Sequence, residues 1–194
     1  MGWINECVTY IVADLYRYTA DTRLISFLKQ YFVRGQGFKF SVWLRICHFS
    51  KKGKVSRYTV FPIARILYSH YMTKYGYDIS YNTEIGPGML IYHFSGIVFR
   101  PHKAGSNLTI SQCTTVGMTI HNGEKKYPVL ENNVYLAPGS KVIGGIHVGN
   151  NVAVGSNAVL TKSVEDNAVV VGIPGRIISY MGAKEYINNP WERE

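Results

Sequence analysis

A six-residue repeat in the second half of the chain constrains its fold more than any other feature. Residues 130–165 divide into the consecutive blocks LENNVY, LAPGSK, VIGGIH, VGNNVA, VGSNAV and LTKSVE, each beginning with an aliphatic residue. The same rule holds upstream in blocks that begin at Ile79, Ile85, Ile91 and Ile97 and, after a slip of one residue, at Ala104, Ile110 and Val116. A period of six fits neither the turn of an α-helix nor the alternation of a simple strand.

This period is typical of a parallel β-helix, in which short strands alternate with tight corners. One coil has three faces of six residues and cannot bury its own interior, so stacked coils must bury the aliphatic column together. The sequence predicts about five coils between residues 79 and 165. Residue types that tolerate positive φ stand at the expected corners: Gly86, Gly88, Gly149, Asn150, Asn151, Gly155 and Asn157.

The first part of the chain follows a helical period instead. Apolar residues recur at helical spacing over residues 3–33, with Asp21 or Thr22 expected to cap the second stretch, and residues 38–49 and 60–75 are predicted as further helices. The predicted organisation is a helical N-terminal region (1–77), a β-helix domain (78–178) with an extruded loop (118–128), and a C-terminal tail (179–194). The loop MTIHNGEKKYP is either functional, as loops on rigid scaffolds often are, or a tolerated surface insertion.

The basic charge is confined to the helical region. Residues 1–77 hold 12 Lys and Arg against 3 Asp and Glu, a balance of +9, whereas residues 78–194 hold 9 of each. Such a surface suits an anionic lipid or a phosphorylated carrier, or it is a solvated helical face. Nucleic acid is not expected, because no RNA-binding aromatic signature or zinc-finger spacing is present.

Cysteine usage and hydropathy indicate the compartment. Cys7, Cys47 and Cys113 are widely spaced and form no CxxC pair, which fits a reducing environment without disulfides or structural zinc. The sequence shows no secretion signal and no run of about 18 apolar residues. We therefore expect a cytoplasmic protein, with peripheral contact to the inner membrane as a further option.

Three segments carry a resemblance to a known family. They are IGPGMLIYHFSGIV at 85–98, the hexads at 130–165 and VVVGIPGRII at 169–178. Together they resemble the serine acetyltransferase branch of the hexapeptide-repeat acyltransferases. The helical segment GFKFSVWLRICHF at 37–49 more closely resembles the branch found in bacterial polysaccharide gene clusters.

The resemblance implies a left-handed parallel β-helix, although the general preference for right-handed crossovers would predict the opposite hand. It also implies homotrimers with active sites between neighbouring protomers and acetyl-CoA lying along the groove. It leaves open whether the N-terminal helices join two trimers into a hexamer.

Asp78 and His93 fall where the family keeps its catalytic aspartate and histidine. Fifteen residues nearly complete a coil, so the two are expected close together. A carboxylate would hold one imidazole nitrogen as N–H and leave the other to take the proton of an attacking alcohol, worth about 10²–10⁴ in rate. Taken alone, His93 also fits a core histidine satisfied by a carbonyl. Backbone N–H groups near Gly117 and Met118 are candidates for stabilising the oxyanion.

The chain departs from the serine enzymes at two places. Tyr92 stands where they have Asp, and Lys126-Tyr127-Pro128 stands where they have Arg-His-Pro. An aromatic site suits a sugar ring better than an amino acid. The expected substrate contacts are Tyr92, Phe94, His121, Lys126 and Tyr127. The prediction is O-acetylation of a sugar hydroxyl in a bacterial polysaccharide or its precursor, with serine O-acetylation and a non-enzymatic trimeric scaffold as alternatives.

The resemblance also points to the coenzyme contacts. Backbone groups would come from Ala137, Gly139, Gly155 and Ser156, and the phosphates would meet Lys162 and Arg176. The alternative for Lys162 and Arg176 is ordinary surface charge. No metal is expected, because the HxxxxH pair that a zinc site on this fold would need is absent from the sequence.

Overall fold

The computed structural model describes residues 2–192. Four α-helices and a π-helical segment precede the strands: α1 (Gly2–Thr19), α2 (Leu24–Lys29), the π-helix (Gln30–Arg34), α3 (Gln36–Ser50) and α4 (Val60–Tyr75). The predicted helices over 38–49 and 60–75 are confirmed by α3 and α4. The predicted cap of α2 is wrong, because Arg23 is the N-cap and its side chain makes no capping hydrogen bond. Asp21 instead accepts hydrogen bonds from the Ser26 hydroxyl and the Arg23 backbone N–H.

Short strands follow. They are β1 (Tyr77–Ile79), β2 (Glu84–Ile85), β3 (Leu90–Ile91), β4 (Ile97–Phe99), β5 (Lys103–Ala104), β6 (Thr109–Ile110), β7 (Thr115–Gly117), β8 (Thr119–His121), β9 (Glu124–Lys126), β10 (Val129–Leu130), β11 (Tyr135–Leu136), β12 (Lys141–Ile143), β13 (His147–Val148), β14 (Ala153–Val154), β15 (Val159–Leu160), β16 (Val169–Val171) and β17 (Arg176–Ser179). A 3₁₀ turn spans Lys184–Tyr186.

The strands build three parallel walls. The first wall has the order β1-β4-β7-β12-β15, the second has β2-β5-β10-β13, and the third has β3-β6-β11-β14-β16 with β17 added antiparallel. Consecutive strands of the coils belong to the first, second and third walls in turn. Val142 of β12 pairs with Leu160 of β15, which lies one coil later in the same wall. Eighteen residues, or three hexads, therefore make one regular coil, and the predicted β-helix is confirmed.

The hexad positions form the core. Their first residues are buried in a single interior column: Leu130, Leu136, Val142, Val148, Val154 and Leu160. Burying a Val or Leu side chain contributes about 1.5–3 kcal/mol, so this column is a main source of stability. Phe40 and Leu44 of α3 and Tyr68 of α4 belong to the same hydrophobic cluster, so the helices close one end of the β-helix.

The corner residues use two different properties. Gly88, Asn151 and Asn157 have positive φ as predicted. Gly86, Gly149, Asn150 and Gly155 do not, so that part of the prediction is wrong. Close stacking explains a glycine at position 149, because a Cβ there would lie 2.6 Å from a backbone nitrogen of the next coil.

A buried ion pair attaches the helices to the first coil. Arg45 of α3 donates from Nε and Nη2 to the Asp14 carboxylate of α1 at 2.9 and 3.0 Å. The same guanidinium donates to the carbonyls of Ile85 and Gly86 at 2.6 and 2.8 Å. Both charges are thus compensated by ion pairing and hydrogen bonds, which burial demands.

Arg17 fastens three parts of the molecule together. Its buried guanidinium donates to the Gly88 carbonyl at 2.6 Å, the Thr109 hydroxyl at 2.7 Å and the Asn188 carbonyl at 2.7 Å. Burial lowers its pKa to about 10. The C-terminal segment 183–191 is held by this residue at one end and packs through Tyr186 on Tyr135 of the third wall.

Candidate active site

His93 lies at an exposed corner between the third and first walls. Residues 92–96 link β3 to β4, and the Ser95 N–H donates to the Tyr75 carbonyl at 2.8 Å. The His93 side chain is exposed, and within residues 2–192 its imidazole forms no hydrogen bond. A core histidine satisfied by a carbonyl is therefore not what the structure contains. The imidazole is accessible to a substrate.

Two aromatic residues flank this histidine. The Tyr92 hydroxyl accepts a hydrogen bond from the Asn188 side-chain amide at 2.7 Å, and Phe94 packs against Tyr75 with ring centroids 6.4 Å apart. Both Tyr92 and Phe94 remain substantially exposed. The C-terminal segment thereby contributes directly to the surroundings of His93.

Asp78 lies on the outer face of the first wall, near the same corner. Gly76 and Ser95 approach each other closely, since a Cβ on Gly76 would lie 3.2 Å from the Ser95 Cα. Asp78 and His93 each stand two residues from this contact. The expected hydrogen bond between them is not formed in the described part of the chain.

Arg100 binds the Asp78 carboxylate instead. Its Nη2 and Nε donate to Oδ1 and Oδ2 at 2.5 and 3.2 Å, and this pairing raises the pKa of Arg100. Sequence reasoning missed Arg100. The available signal was strand register, because Asp78 pairs with Val98 of β4 and Arg100, two residues further on, is the next outward-facing residue, directly after the end of β4.

The extruded loop contains the hairpin β8–β9, which projects where the first wall meets the second. His121 and Lys126 are on this exposed hairpin, Tyr127 follows it, and Gly117 and Met118 precede it. A strand of three residues spans about 10 Å. Within one chain, the first wall therefore separates these residues from the His93 corner.

The predicted coenzyme residues follow the same edge as His93. The Gly139 N–H donates to the Gln112 carbonyl and the Asn157 N–H to the Pro138 carbonyl, at 3.0 and 2.9 Å, so successive corners stack below His93. This edge carries Ala137, Gly139, Gly155 and Ser156.

The two residues predicted to contact the coenzyme phosphates, Arg176 and Lys162, lie on different edges of the β-helix. Arg176 pairs with Val171 at the end of the third wall, and a Cβ on Gly155 would lie 2.9 Å from the Val171 side chain. Arg176 therefore adjoins the coenzyme edge. Lys162 follows β15 and lies at the junction of the first and second walls, away from His93 in the same chain.

Between residues 2 and 192 the structure contains neither a metal-binding cluster nor a membrane-spanning helix. No three His, Cys, Asp or Glu side chains come together as a bound metal ion would need. Nor does any helix in that span combine the length and apolarity required to cross a bilayer.

Known proteins share both the repeat and the fold. Residues 127–162 match the family model described as bacterial transferase hexapeptide (six repeats). A serine acetyltransferase of Synechococcus elongatus is 34% identical over 150 residues, which is 76% of this chain and 59% of that protein. The chain thus spans less than two thirds of this relative's length.

Solved structures agree over a larger part of the chain. The crystal structure of serine acetyltransferase from Brucella abortus strain S19 superposes with a TM-score of 0.70 at 26% identity, covering 93% of this chain and 70% of that one. A serine acetyltransferase in complex with CoA has the same fold, with a TM-score of 0.66 at 23% identity over 90% of this chain and 69% of that one. The repeat, the sequence similarity and the shared fold identify the chain as a hexapeptide-repeat protein similar to serine acetyltransferases.

Proposed function

We propose that this protein transfers the acetyl group of acetyl-CoA to a hydroxyl group, with His93 as the general base. The observation that carries the proposal is the exposed, unbonded imidazole on the edge that also carries Gly139 and Gly155. A thioester lying along that edge would bring its carbonyl carbon to His93.

The chemistry follows from these positions. His93 takes the proton of the acceptor hydroxyl while the hydroxyl oxygen attacks the acetyl carbonyl carbon. The resulting oxyanion collapses, the C–S bond breaks, and the proton passes from His93 to the departing CoA sulfur. Asp78 stabilises the imidazolium as a fixed negative charge near the corner, and Arg100 sets the orientation of that carboxylate.

A homotrimer would complete the site. The oxyanion candidates Gly117 and Met118 and the loop residues Lys126 and Tyr127 lie on the opposite edge of the first wall from His93. A neighbouring protomer would bring its loop edge to the His93 edge of the first. Coenzyme phosphates would then meet Arg176 from one chain and Lys162 from the next.

L-Serine is the first candidate acceptor. The relatives named above are serine acetyltransferases, and they favour this alternative over the sugar acceptor expected from the sequence. A saccharide is the second candidate, because Tyr92 and Phe94 present exposed aromatic rings beside His93.

An acceptor screen tests this proposal. Acetyl-CoA would be supplied with L-serine or with a panel of saccharides, and released CoA thiol and the mass of the product would be measured. Turnover of serine alone identifies the first acceptor, and turnover of saccharides alone identifies the second. The proposal would be contradicted if no acceptor gave thiol release and calorimetry detected no CoA binding. The non-enzymatic trimeric scaffold would then be the favoured alternative.

A further inference from the structure

The segment Arg23–Arg34 exposes large apolar side chains beside basic ones. Leu24, Phe32 and Val33 are 73%, 69% and 77% exposed. The patch consists of Leu24, Ile25, Leu28, Lys29, Phe32, Val33 and Arg34, and we call it the apolar–basic patch. An apolar surface of this kind usually marks a binding face.

The patch is presented by a segment that is firmly held. Phe27 packs edge-on against Phe38 with ring centroids 5.5 Å apart, and the Tyr31 hydroxyl accepts a hydrogen bond from the Trp43 indole at 2.9 Å. These two residues anchor α2 and the π-helix to α3. The remaining apolar side chains of the segment therefore face outward in a fixed arrangement.

The charge around the patch restricts its partner. Lys29 and Arg34 are exposed, and residues 22–34 contain no acidic residue. The nearest acid in the sequence, Asp21, already binds Arg23 at 2.9 Å. The whole of residues 1–77 carries a balance of +9, so pairing this face with a second copy of itself would bring like charges together.

We infer that the apolar–basic patch docks on an anionic lipid surface. Phe, Leu, Ile and Val side chains beside Lys and Arg form the pattern of interfacial segments, which sink about 5–10 Å into the headgroup region. Each basic residue near such a surface strengthens binding about fivefold. The inference rests on surface exposure and charge, and is independent of the proposed acetyl transfer.

Vesicle sedimentation with the full chain tests the inference. We expect binding to vesicles that contain phosphatidylglycerol and little binding to phosphatidylcholine alone. The double variants Phe32→Ser/Val33→Ser and Lys29→Glu/Arg34→Glu should each weaken binding at least tenfold. Met181→Ser in the C-terminal tail, where the Met181 side chain is 81% exposed, and Lys125→Glu on the hairpin are matched controls that should bind normally.

Two further measurements, the salt dependence of vesicle binding and the oligomer mass, distinguish a lipid surface from a second copy of the chain as the partner of the patch. Raising ionic strength from about 0.1 to about 1 M shortens the Debye length from about 10 to about 3 Å, and vesicle binding should fall steeply. Melting curves followed by circular dichroism would be used to check that each variant is folded. The inference is overturned if the wild type does not bind anionic vesicles, or if the patch variants bind those vesicles as strongly as the wild type does. A patch variant that lowers oligomer mass in light scattering, without any vesicle binding by the wild type, would assign the patch to a second copy of the chain.

Discussion

Arg100 holds the carboxylate of Asp78 through two hydrogen bonds, although 22 residues separate them in sequence. The contact arises because β1 and β4 are neighbours in the first wall, with Asp78 opposite Val98. The carboxylate is therefore fixed beside the His93 corner before any substrate binds. Its role in the proposed chemistry is electrostatic support of the imidazolium.

Replacing Asp78 with Asn should lower kcat about tenfold to a hundredfold and leave the KM for acetyl-CoA unchanged, because only the charge that supports His93 is lost. The free energy of unfolding should change little, since an exposed ion pair contributes about 0–1 kcal/mol. Steady-state kinetics check this, with Glu185→Gln as the exposed control. An Asp78→Asn enzyme with wild-type kcat would remove Asp78 from the mechanism.

The buried pair of Asp14 and Arg45 should be far more important for stability. Asp14→Ala leaves the Arg45 guanidinium buried without its carboxylate, and the expected loss in free energy of unfolding is about 3–5 kcal/mol. Urea denaturation measures it. Asp21→Ala, which breaks the solvent-exposed pair with Arg23, is the control and should have a much smaller effect. Equal losses in the two variants would mean that Arg45 is solvated after the substitution.

Stability should depend on pH through His48. Burial lowers the pKa of His48 below its usual value of 6.5, with neighbouring Lys52 and Arg45 adding to the effect, and the ring bonds to the Tyr81 carbonyl at 2.9 Å. The unfolded chain therefore binds the proton more readily. His48 contributes stability that is present above pH 6.5 and is lost as the pH falls through the lowered folded pKa.

A His48→Gln variant should accordingly show a flatter decline of stability below pH 6.5 than the wild type. Urea midpoints measured across that range supply the test. Parallel pH profiles for the two proteins would show that other groups control the decline.

The hydrogen bond from Asn188 to Tyr92 should affect acceptor binding. Asn188→Ala and Tyr92→Phe each remove it, and a single hydrogen bond of about 0.5–1.5 kcal/mol corresponds to a two- to tenfold rise in the acceptor KM. The KM for acetyl-CoA should stay constant. Tyr186→Phe is a matched control, because its ring stacks on Tyr135. A rise in the acetyl-CoA KM instead would mean that this contact supports the coenzyme edge.

The sequence predicts the β-helix well, because the rule that fills its interior is local and periodic. Leu130, Val142 and Leu160 are buried in the interior because each is the first residue of its hexad. The exposure of His93 was not predictable in this way, since the hexad pattern, which runs regularly from Ile91 to Ile97, fixes only the residues that face the interior and not how far a corner side chain is covered. The deciding contact there is between Ser95 and Tyr75, which depends on how α4 enters the first coil.

Long-range side-chain contacts were also beyond the sequence. Asn188 reaches Tyr92 across 96 residues because Arg17 and Tyr135 hold the C-terminal segment against the third wall. The assignment of Asp78 as a direct partner of His93 used the family resemblance and their spacing in the sequence. A guanidinium competing for the carboxylate becomes visible only when strand register is known.

The central claim is that His93 accepts the proton of the acceptor hydroxyl. The most direct test is the rate of CoA thiol release by His93→Ala with acetyl-CoA and the acceptor found in the screen, alongside CoA affinity from calorimetry. The account predicts at least a hundredfold loss of rate with CoA affinity and melting temperature unchanged. A rate near that of the wild type would contradict it.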